Sequence, residues 1–520
     1  MPAGHTPAGH TPARVLAALL AAVATAWLAA CADPSPSPGG DSGAPTASLV
    51  VGATVEPPTF DLTQSSAAAI PQLLLYNVYQ TLLKVDDAGQ LQPLLATGHE
   101  LSADRLTYTF QLDPAARFAS GAPVDAAAVK ASWERLCAPV EEAAKRRCSS
   151  PNSVVATPLS LVDEVTAVDA TTLAVTLVRP SNSWLYDMTS SAGVVIDPAA
   201  DNLPVHPMGS GPYQVDSWTV GDRIVLARNP NYWGAAPGFE QVTFRYFADP
   251  SAMTFALQTG DIDIISNLTT PSSLAELEAD PGFNATSGTS TGEVVLGFNQ
   301  ARPVLQSLAV RQAINHAIDS QGLMDTVWAG QGRLIGTMVA PSDPYYEDLS
   351  QTYPYDPDRA RELLATAGAT DLELSLRVAS DLPYAPPAAQ YIASQLAAVG
   401  ITVTVEEIDW NRWLSEVFQD GDYDLTIVAH LEPRDIERFA DPDYYWHYDS
   451  AQFRQLLTAA DQGDPADYVA GMRQAARLLA QDAAADWLFL LPNLVVSRAG
   501  LVGVPVNASS LSFDVTAIRP

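Results

Sequence analysis

Alternating apolar and polar residues mark several strands in the first half of the chain. At 106–112, leucine, tyrosine and phenylalanine alternate with threonine and glutamine, and the same period of two recurs at 173–177 and 224–227. Successive side chains of a strand point to opposite faces, so this pattern is typical of a strand with one buried face. These segments predict sheets that pack one side against a core.

The second half of the chain mixes helix and strand signals. Asp356 and Pro357 predict the N-cap and first position of a helix that stops at Gly368. An alanine-rich helix ends near Gly400 and another helix starts at about Trp410. Strands are predicted around these helices at 372–378, 401–405 and 423–429. A further helix opens the region with apolar residues Val310, Ile314, Ala317 and Ile318. This β-α-β-α alternation predicts an α/β lobe.

The amino terminus carries an export signal. Arg14 precedes an apolar run at 15–28, which is shorter than the roughly 20 residues of a membrane span but suits a secretory signal. The run ends in Leu-Ala-Ala at 28–30 and then Cys31, which resembles a lipobox. We therefore expect residues 1–30 to be a lipoprotein signal peptide and Cys31 to carry lipid. An ordinary signal peptide with a chance cysteine is the alternative.

Composition and cysteine usage fit an exported globular protein. Residues 31–47 are rich in proline, serine and glycine, which predicts a flexible tether. Cys137 and Cys148 remain beyond the tether, and in an oxidising compartment such a pair can close a disulfide. No zinc ligands accompany them at suitable spacing, so we predict no metal site.

Charge excludes one class of partner. The 520 residues contain 27 Lys and Arg against 59 Asp and Glu, a net charge of −32. Nucleic-acid binding depends on a basic surface that neutralises phosphates, so we expect no nucleic-acid partner. The length exceeds the roughly 100–200 residues of one domain, so several packed units are expected.

Several segments together resemble the bacterial extracellular solute-binding proteins of family 5, which serve ABC importers of oligopeptides, dipeptides and nickel. The matching segments are Glu-Pro-Pro-Thr-Phe-Asp at 56–61, Tyr-Asn-Val-Tyr-Gln-Thr-Leu at 76–82, Pro-Leu-Leu-Ala at 93–96, Phe-Ala-Ser-Gly-Ala-Pro-Val at 118–124, Gly-Ser-Gly-Pro-Tyr at 209–213, Arg-Asn-Pro-Asn-Tyr-Trp-Gly at 228–234, Gly-Asp-Ile-Asp at 260–263, Phe-Asn at 298–299 and Val-Arg-Gln-Ala-Ile at 310–314. Their order covers nearly the whole mature chain.

The resemblance implies an α/β fold of the two-lobe periplasmic-binding-protein type (type II, cluster C), with a hinge between the lobes and an extra subdomain. Lobe I would take residues 48–75, 200–296 and 489–520, the subdomain 76–199 and lobe II 297–488. The implied function is capture of a small solute, most simply a peptide, and its delivery to a membrane permease. We expect a monomer, held at the extracytoplasmic face of the membrane by the lipid on Cys31, with no cofactor and no enzymatic activity.

The resemblance also suggests ligand-binding residues. Asn267 and Trp410 match a cleft asparagine and a cleft tryptophan of the peptide-binding relatives, although a polar turn residue and a core tryptophan are the simpler alternatives. Tyr445 and Trp446 follow a predicted loop and are candidate cleft aromatics. An aromatic face can stack on a side chain or a cation of the ligand.

The segment after the strand at 423–429 departs from the peptide-binding relatives. They carry a tryptophan and, three residues on, an aspartate that takes the peptide's ammonium group; here His430 and Pro433 occupy those positions. Glu432 or Asp435 can supply the carboxylate instead, and Arg434 can bind a carboxylate through two hydrogen bonds. The alternative is that these three charges form only a surface ion network.

Two rival functions are weaker. Gly-Thr-Ser-Thr-Gly at 288–292 fits the G-x-S-x-G pattern of serine hydrolases, but that motif needs a following helix, and 293–296 reads as a strand. An exported hydrolase is therefore a remote alternative. His430 and His447 lie in the region of the expected cleft, which leaves a nickel or metal-chelate binding protein as the closer alternative, beside a sugar or other small solute.

Overall fold

Two large β-sheets dominate the protein, as seen in a computed structural model that describes residues 48–142, 145–150 and 152–520. The predicted signal peptide, the tether and Cys31 lie outside the described residues. Four compact hydrophobic clusters surround the sheets. Within the described ranges, no helix is long and apolar enough to cross a membrane.

The larger sheet has seven strands and draws on distant parts of the chain. In sheet order the strands are Tyr213–Thr219, Arg223–Arg228, Gln241–Tyr246, Ser48–Ala53, Ile264–Ile265, Asn493–Arg498 and Phe283–Gly288. The strand Ser48–Ala53 runs parallel to both of its neighbours, and the remaining pairs are antiparallel. The beginning and the end of the described chain therefore meet in one sheet.

The second sheet has five strands, in the order Ile401–Ile408, Leu372–Ala379, Leu425–His430, Glu293–Phe298 and Ala485–Leu490. The first three strands are parallel, because helices connect them, and the last two pairs are antiparallel. The strands predicted in the second half of the chain are confirmed. The strand Glu293–Phe298 belongs entirely to this sheet, whereas the lobe boundary expected after residue 296 would divide it and place most of it in lobe I.

A third, four-stranded sheet is antiparallel and contains the strands Ala96–Leu101, Thr107–Leu112, Thr172–Leu177 and Val162–Ala167. The predicted strands at 106–112 and 173–177 are confirmed here, and 224–227 lies in the seven-stranded sheet. Two hairpins are smaller: Leu83–Val85 with Leu91–Pro93, and Ala138–Glu142 with Lys145–Ser149. A disulfide joins Cys137 to Cys148 across the base of the second hairpin.

A side chain caps the beginning of seven of the helices in the described residues. They span Ala69–Leu74, Ala126–Leu136, Ser153–Ser160, Trp184–Asp187, Pro250–Thr259, Leu274–Ala279, Leu308–Ala317, Ser320–Val327, Pro357–Ala367, Ala385–Ala398, Trp410–Arg412, Ala451–Gln462 and Tyr468–Gln481. As predicted, Asp356 caps the helix at Pro357 through the Arg359 amide, and Gly368 ends it with φ of 65°. The helix expected from Trp410 keeps only one regular turn and continues as a π-helical segment, Trp413–Gln419.

Two short segments connect the large sheets. Residues 289–292 join Phe283–Gly288 to Glu293–Phe298, and residues 491–492 join Ala485–Leu490 to Asn493–Arg498. The segments are bonded to each other: the Leu491 amide donates to the Gly292 carbonyl at 2.8 Å, and the Ser290 hydroxyl donates to the Leu491 carbonyl. We call this paired crossing the hinge. The Gly-Thr-Ser-Thr-Gly motif at 288–292 thus contains the first of the two hinge segments, and a strand follows it as expected.

Candidate functional site

A cavity of about 270 Å³ lies between two halves of the fold. One half is built on the seven-stranded and four-stranded sheets, and the other is built on the five-stranded sheet. One wall comes from Tyr186, Asp187 and neighbours, which pack with the core of the seven-stranded and four-stranded sheets. The opposite wall is the segment 432–444, which follows the strand Leu425–His430 of the five-stranded sheet. Three residues predicted from the sequence, Glu432, Arg434 and Asp435, line this cavity.

Arg434 bridges the cavity. Its guanidinium carbon lies 3.3 Å from the centre of the Tyr186 ring on the opposite wall, within cation–π range. Its Nε donates to Asp343 Oδ1 at 3.3 Å, inside the second half of the fold. Arg434 has φ of 61°, a left-handed conformation that costs an arginine about 1 kcal/mol. Such local strain persists where the surrounding contacts hold a side chain in place.

Burial shapes the charges around Arg434. Burial raises the pKa of Asp343 to about 6, and the nearby Arg434 limits that rise. Burial by itself lowers the pKa of Arg434. Electrostatic interactions with Tyr345, Tyr186 and Asp343 raise it by more, so the pKa of Arg434 lies above its ordinary value. Arg434 is therefore a permanent cation at the cavity wall.

A second group of polar side chains lies behind the wall. His430 contacts Tyr445 Oη through Nε2 at 3.0 Å and Asp435 Oδ2 through Nδ1 at 3.3 Å, so both ring nitrogens have protein partners. Glu293 is the cross-strand neighbour of His430 and is buried. Burial and the charge of Asp435 raise the pKa of Glu293 well above its ordinary value. Glu293 therefore holds its proton more tightly than an exposed glutamate does.

Several predicted residues lie away from the cavity wall. Tyr445 and Trp446 are 3% and 1% exposed, and Trp446 stacks on Phe439 with ring centres 3.9 Å apart. Trp410 is exposed and stacks on Trp413, at 4.9 Å and nearly parallel. Asn267 is also exposed and does not line the cavity. The structure thus brings together Glu432, Arg434 and Asp435 at the cavity, with His430 behind them. The other four predicted residues, Asn267, Trp410, Tyr445 and Trp446, do not line it.

Sequence reasoning missed other lining residues. Tyr444 faces the cavity in place of its two aromatic neighbours, and Arg438 and Glu437 come from the same segment. The opposite wall supplies Tyr186 and Asp187, for which the sequence holds no local signal. The sequence predicted Tyr445 and Trp446 as cleft aromatics, but the aromatic side chain of this segment that lines the cavity is that of the preceding residue, Tyr444.

Metal binding has no ready site in the part of the chain that the structure describes. No group of three or more His, Cys, Asp or Glu side chains is placed to hold an ion there. His430 is occupied by Tyr445 and Asp435, and His447 is not among the residues that line the cavity.

A cavity that lies between two lobes joined by a paired hinge, and that charged side chains line, is typical of the class of hinge-closing solute-binding proteins. The family described as bacterial extracellular solute-binding proteins, family 5 Middle, matches residues 90–455. The chain belongs to this family, so it is a solute-binding component of ABC transport and not an enzyme. The predicted fold class and family are thereby confirmed.

Individual relatives differ in what they bind. The glutathione-binding protein GsiB of Salmonella paratyphi A is 29% identical over 360 residues, which cover 68% of each chain. The structure of DppA from Helicobacter pylori in complex with the peptide STSA matches with a TM-score of 0.76 at 21% identity, covering 91% of this chain and 98% of that one. NikA of Brucella suis in complex with Fe(III)-EDTA matches with a TM-score of 0.78 at 21% identity, covering 91% and 99%. At these identities the two structures show a shared fold.

Proposed function

We propose that this protein captures small peptides outside the cytoplasm and delivers them to an ABC permease. The observation that carries the proposal is the presence of both charges in one cavity, with Arg434 and Glu432 a few residues apart on the same wall. A short peptide is a zwitterion, so its carboxylate and ammonium groups need an arginine and a carboxylate. The names of the relatives GsiB and DppA fit this ligand class.

The roles within the site follow from exposure. Arg434 takes the peptide carboxylate, because its planar fork matches that group. Glu432 takes the ammonium group, since its side chain is 39% exposed whereas that of Asp435 is 2% exposed and faces His430. Asp435 then acts by holding His430 and the segment behind the wall. The cavity volume of about 270 Å³ favours a short peptide.

The proposal includes a location and an organisation. Residues 1–30 are removed, the lipid on Cys31 anchors the chain to the membrane, and residues 31–47 form the tether. The mature protein works as a monomer with a subdomain at 76–199 and with the expected lobes. Both lobe boundaries move from 296 and 489 to the hinge, because the strands Glu293–Phe298 and Ala485–Leu490 belong to the five-stranded sheet: lobe I takes 48–75, 200–292 and 491–520, and lobe II takes 293–490. Metabolic labelling with a lipid precursor tests the anchor: Cys31→Ser abolishes the label, whereas Cys137→Ser keeps it.

Native mass spectrometry of the soluble chain from Ala32, purified without refolding, tests the ligand. A ladder of small peptides released on denaturation supports peptide capture. A single metal chelate or a saccharide overturns the peptide assignment and leaves the importer class intact. Glu432→Gln is expected to lower the peptide load, and the exposed residue Glu100, changed to Gln, serves as the matched control.

A further inference from the structure

Two acidic residues, Asp187 and Glu437, line the cavity from different halves of the fold. Asp187 ends the helix Trp184–Asp187 on one wall, and Glu437 lies in the turn Asp435–Ala440 on the other. Glu437 is exposed and is one of the residues that line the cavity. Asp187 accepts one hydrogen bond, from Ser183 Oγ at 3.1 Å. The two acids therefore present free acceptor positions to whatever fills the cavity.

Each of the nearby arginines contacts a carboxylate other than those of Asp187 and Glu437. These contacts are Arg434 with Asp343 at 3.3 Å, Arg438 with Glu432 at 3.8 Å and Arg179 with Asp461 at 2.6 Å. In the described residues, no Lys, Arg or His nitrogen lies within 4.0 Å of a carboxylate oxygen of Asp187 or Glu437. The protein thus places two acids on the lining of one cavity, and neither acid has a direct ion-pair partner among the described residues.

The pKa values of both acids are raised above their ordinary values. Burial raises the pKa of Glu437 to about 8, and the negative charges of Asp187 and Asp461 add to the rise. The positive charges of Arg179 and Arg438 limit it. Burial raises the pKa of Asp187 to about 6, with Asp461 adding to the rise and Arg434 and the Ser183 hydroxyl opposing it. A cation placed between the two acids removes the repulsion and favours their ionised forms.

We infer that Asp187 and Glu437 form a subsite for an ammonium or guanidinium group of the ligand, so that the protein prefers peptides with a basic side chain. The inference rests on the proposed function and names its substrate class. It also gives the ligand a means of closing the lobes, since one cation attracts a carboxylate from each wall. A ligand shifts a conformational equilibrium only through such differential contacts.

Calorimetry with matched peptides tests the subsite. Ala-Arg-Ala is compared with Ala-citrulline-Ala, which has nearly the same shape but no charge, and each is used with a free and an acetylated amino terminus. We expect the arginine peptide to bind roughly tenfold tighter, about the effect of one charge-assisted hydrogen bond. The tighter binding of the arginine peptide must persist in the acetylated pair, because the subsite binds the side chain and not the terminal ammonium group.

Two variants connect the preference to these residues. Asp187→Asn and Glu437→Gln each reduce the arginine preference to about twofold or less while the citrulline peptide binds as before. The matched control Glu100→Gln, on an exposed strand of the four-stranded sheet, keeps the full preference.

Binding also changes protonation. Near pH 7, a cation lowers the pKa of Glu437 from about 8, so the arginine peptide releases protons that the citrulline peptide does not. Calorimetry in two buffers of different ionisation enthalpy measures this release, and Glu437→Gln abolishes it.

The outcomes separate the inference from the proposed function. Equal affinity for the arginine and citrulline peptides overturns the subsite and leaves peptide capture standing. Binding of free arginine but of none of the peptides supports the subsite and overturns peptide capture. Failure of the peptides, free arginine and free citrulline to bind overturns both. A preference that survives unchanged in both variants also overturns the assignment to Asp187 and Glu437.

Discussion

Asp461 accepts a hydrogen bond from Arg179 at 2.6 Å, across the boundary between the two halves of the fold. Its other carboxylate oxygen accepts from the Ser181 hydroxyl at 2.7 Å and the Asn182 amide at 3.0 Å. Asp461 lies in the last turn of the helix Ala451–Gln462, where a negative charge is unfavourable against the helix dipole. Arg179 offsets that charge only when the two halves are in contact.

Loss of this contact is expected to favour the open form. The Ser183 amide also donates to the Asp461 carboxylate, at 3.2 Å. Asp461→Ala therefore removes a charge-assisted bond and three further hydrogen bonds, each worth about 0.5–3 kcal/mol. Ligand affinity should fall roughly tenfold, mainly through faster dissociation, because closure no longer gains these bonds. Small-angle X-ray scattering of the ligand-free protein should show a larger radius of gyration.

The neighbouring Asp467→Ala serves as the control, since Asp467 is exposed and its side chain makes no capping bond. Unchanged dissociation and an unchanged radius in Asp461→Ala would show that the contact does not hold the lobes together.

The contact between Asp461 and Arg179 illustrates what sequence reasoning cannot reach. Their positions are 282 residues apart, and neither belongs to a motif or a periodic pattern. The strand Leu372–Ala379 and the helix Pro357–Ala367, in contrast, were predictable because periodicity, Asp356 and Gly368 define them locally. Local rules place elements along the chain, whereas contacts between lobes depend on how distant segments pack.

The candidate site was predictable to a similar extent. The segment after the strand Leu425–His430 was identified because its charges stand where relatives bind ligand. Which side chains face the cavity could not be predicted: Arg434 adopts a left-handed backbone, and Tyr444 turns outward while Tyr445 is buried. Such orientations are decided by the opposite wall, where Tyr186 covers Arg434.

Arg434→Lys is expected to weaken ligand binding roughly tenfold or more, although it preserves the charge. Lysine has no planar fork for a carboxylate, no flat face for Tyr186 and no Nε in place to reach Asp343. Calorimetry with a neutral dipeptide measures the loss.

The control for this change is Arg412→Lys, because Arg412 is exposed and pairs with Glu416 on the surface of one helix, where such pairs contribute little. If Arg434→Lys binds the dipeptide as the parent protein does, Arg434 does not hold the peptide carboxylate.

Ser290→Ala is expected to alter hinge closure. The Ser290 hydroxyl bonds to the Leu491 carbonyl and accepts from the Gly292 amide at 3.0 Å, so it ties the two crossing segments together. Its loss should change the closing rate and shift ligand affinity several-fold, consistent with about 1 kcal/mol per hydrogen bond. Stopped-flow fluorescence with a ligand reports both quantities.

Ser287→Ala is the matched control, as Ser287 is exposed on the preceding strand. An esterase activity that depended on Ser290 would contradict the assignment of this motif to a hinge.

Asp486→Asn is expected to stabilise the protein at high pH. Asp486 is buried in the strand Ala485–Leu490, its Oδ2 has no hydrogen-bond partner, and burial alone raises its pKa to about 7 from the ordinary 3.8. Because the folded state holds this proton more tightly than the unfolded state, unfolding free energy falls as pH rises from about 4 to 7, and the loss is complete above that range. Asparagine cannot ionise, so urea unfolding at about pH 8 should give a gain of about 1–3 kcal/mol, with little change at about pH 4. Asp467→Asn at the exposed position should change neither value. An equal effect of Asp486→Asn at both pH values would mean that the carboxyl group has the same pKa in the folded and the unfolded protein, so that burial does not raise it and packing alone determines the change.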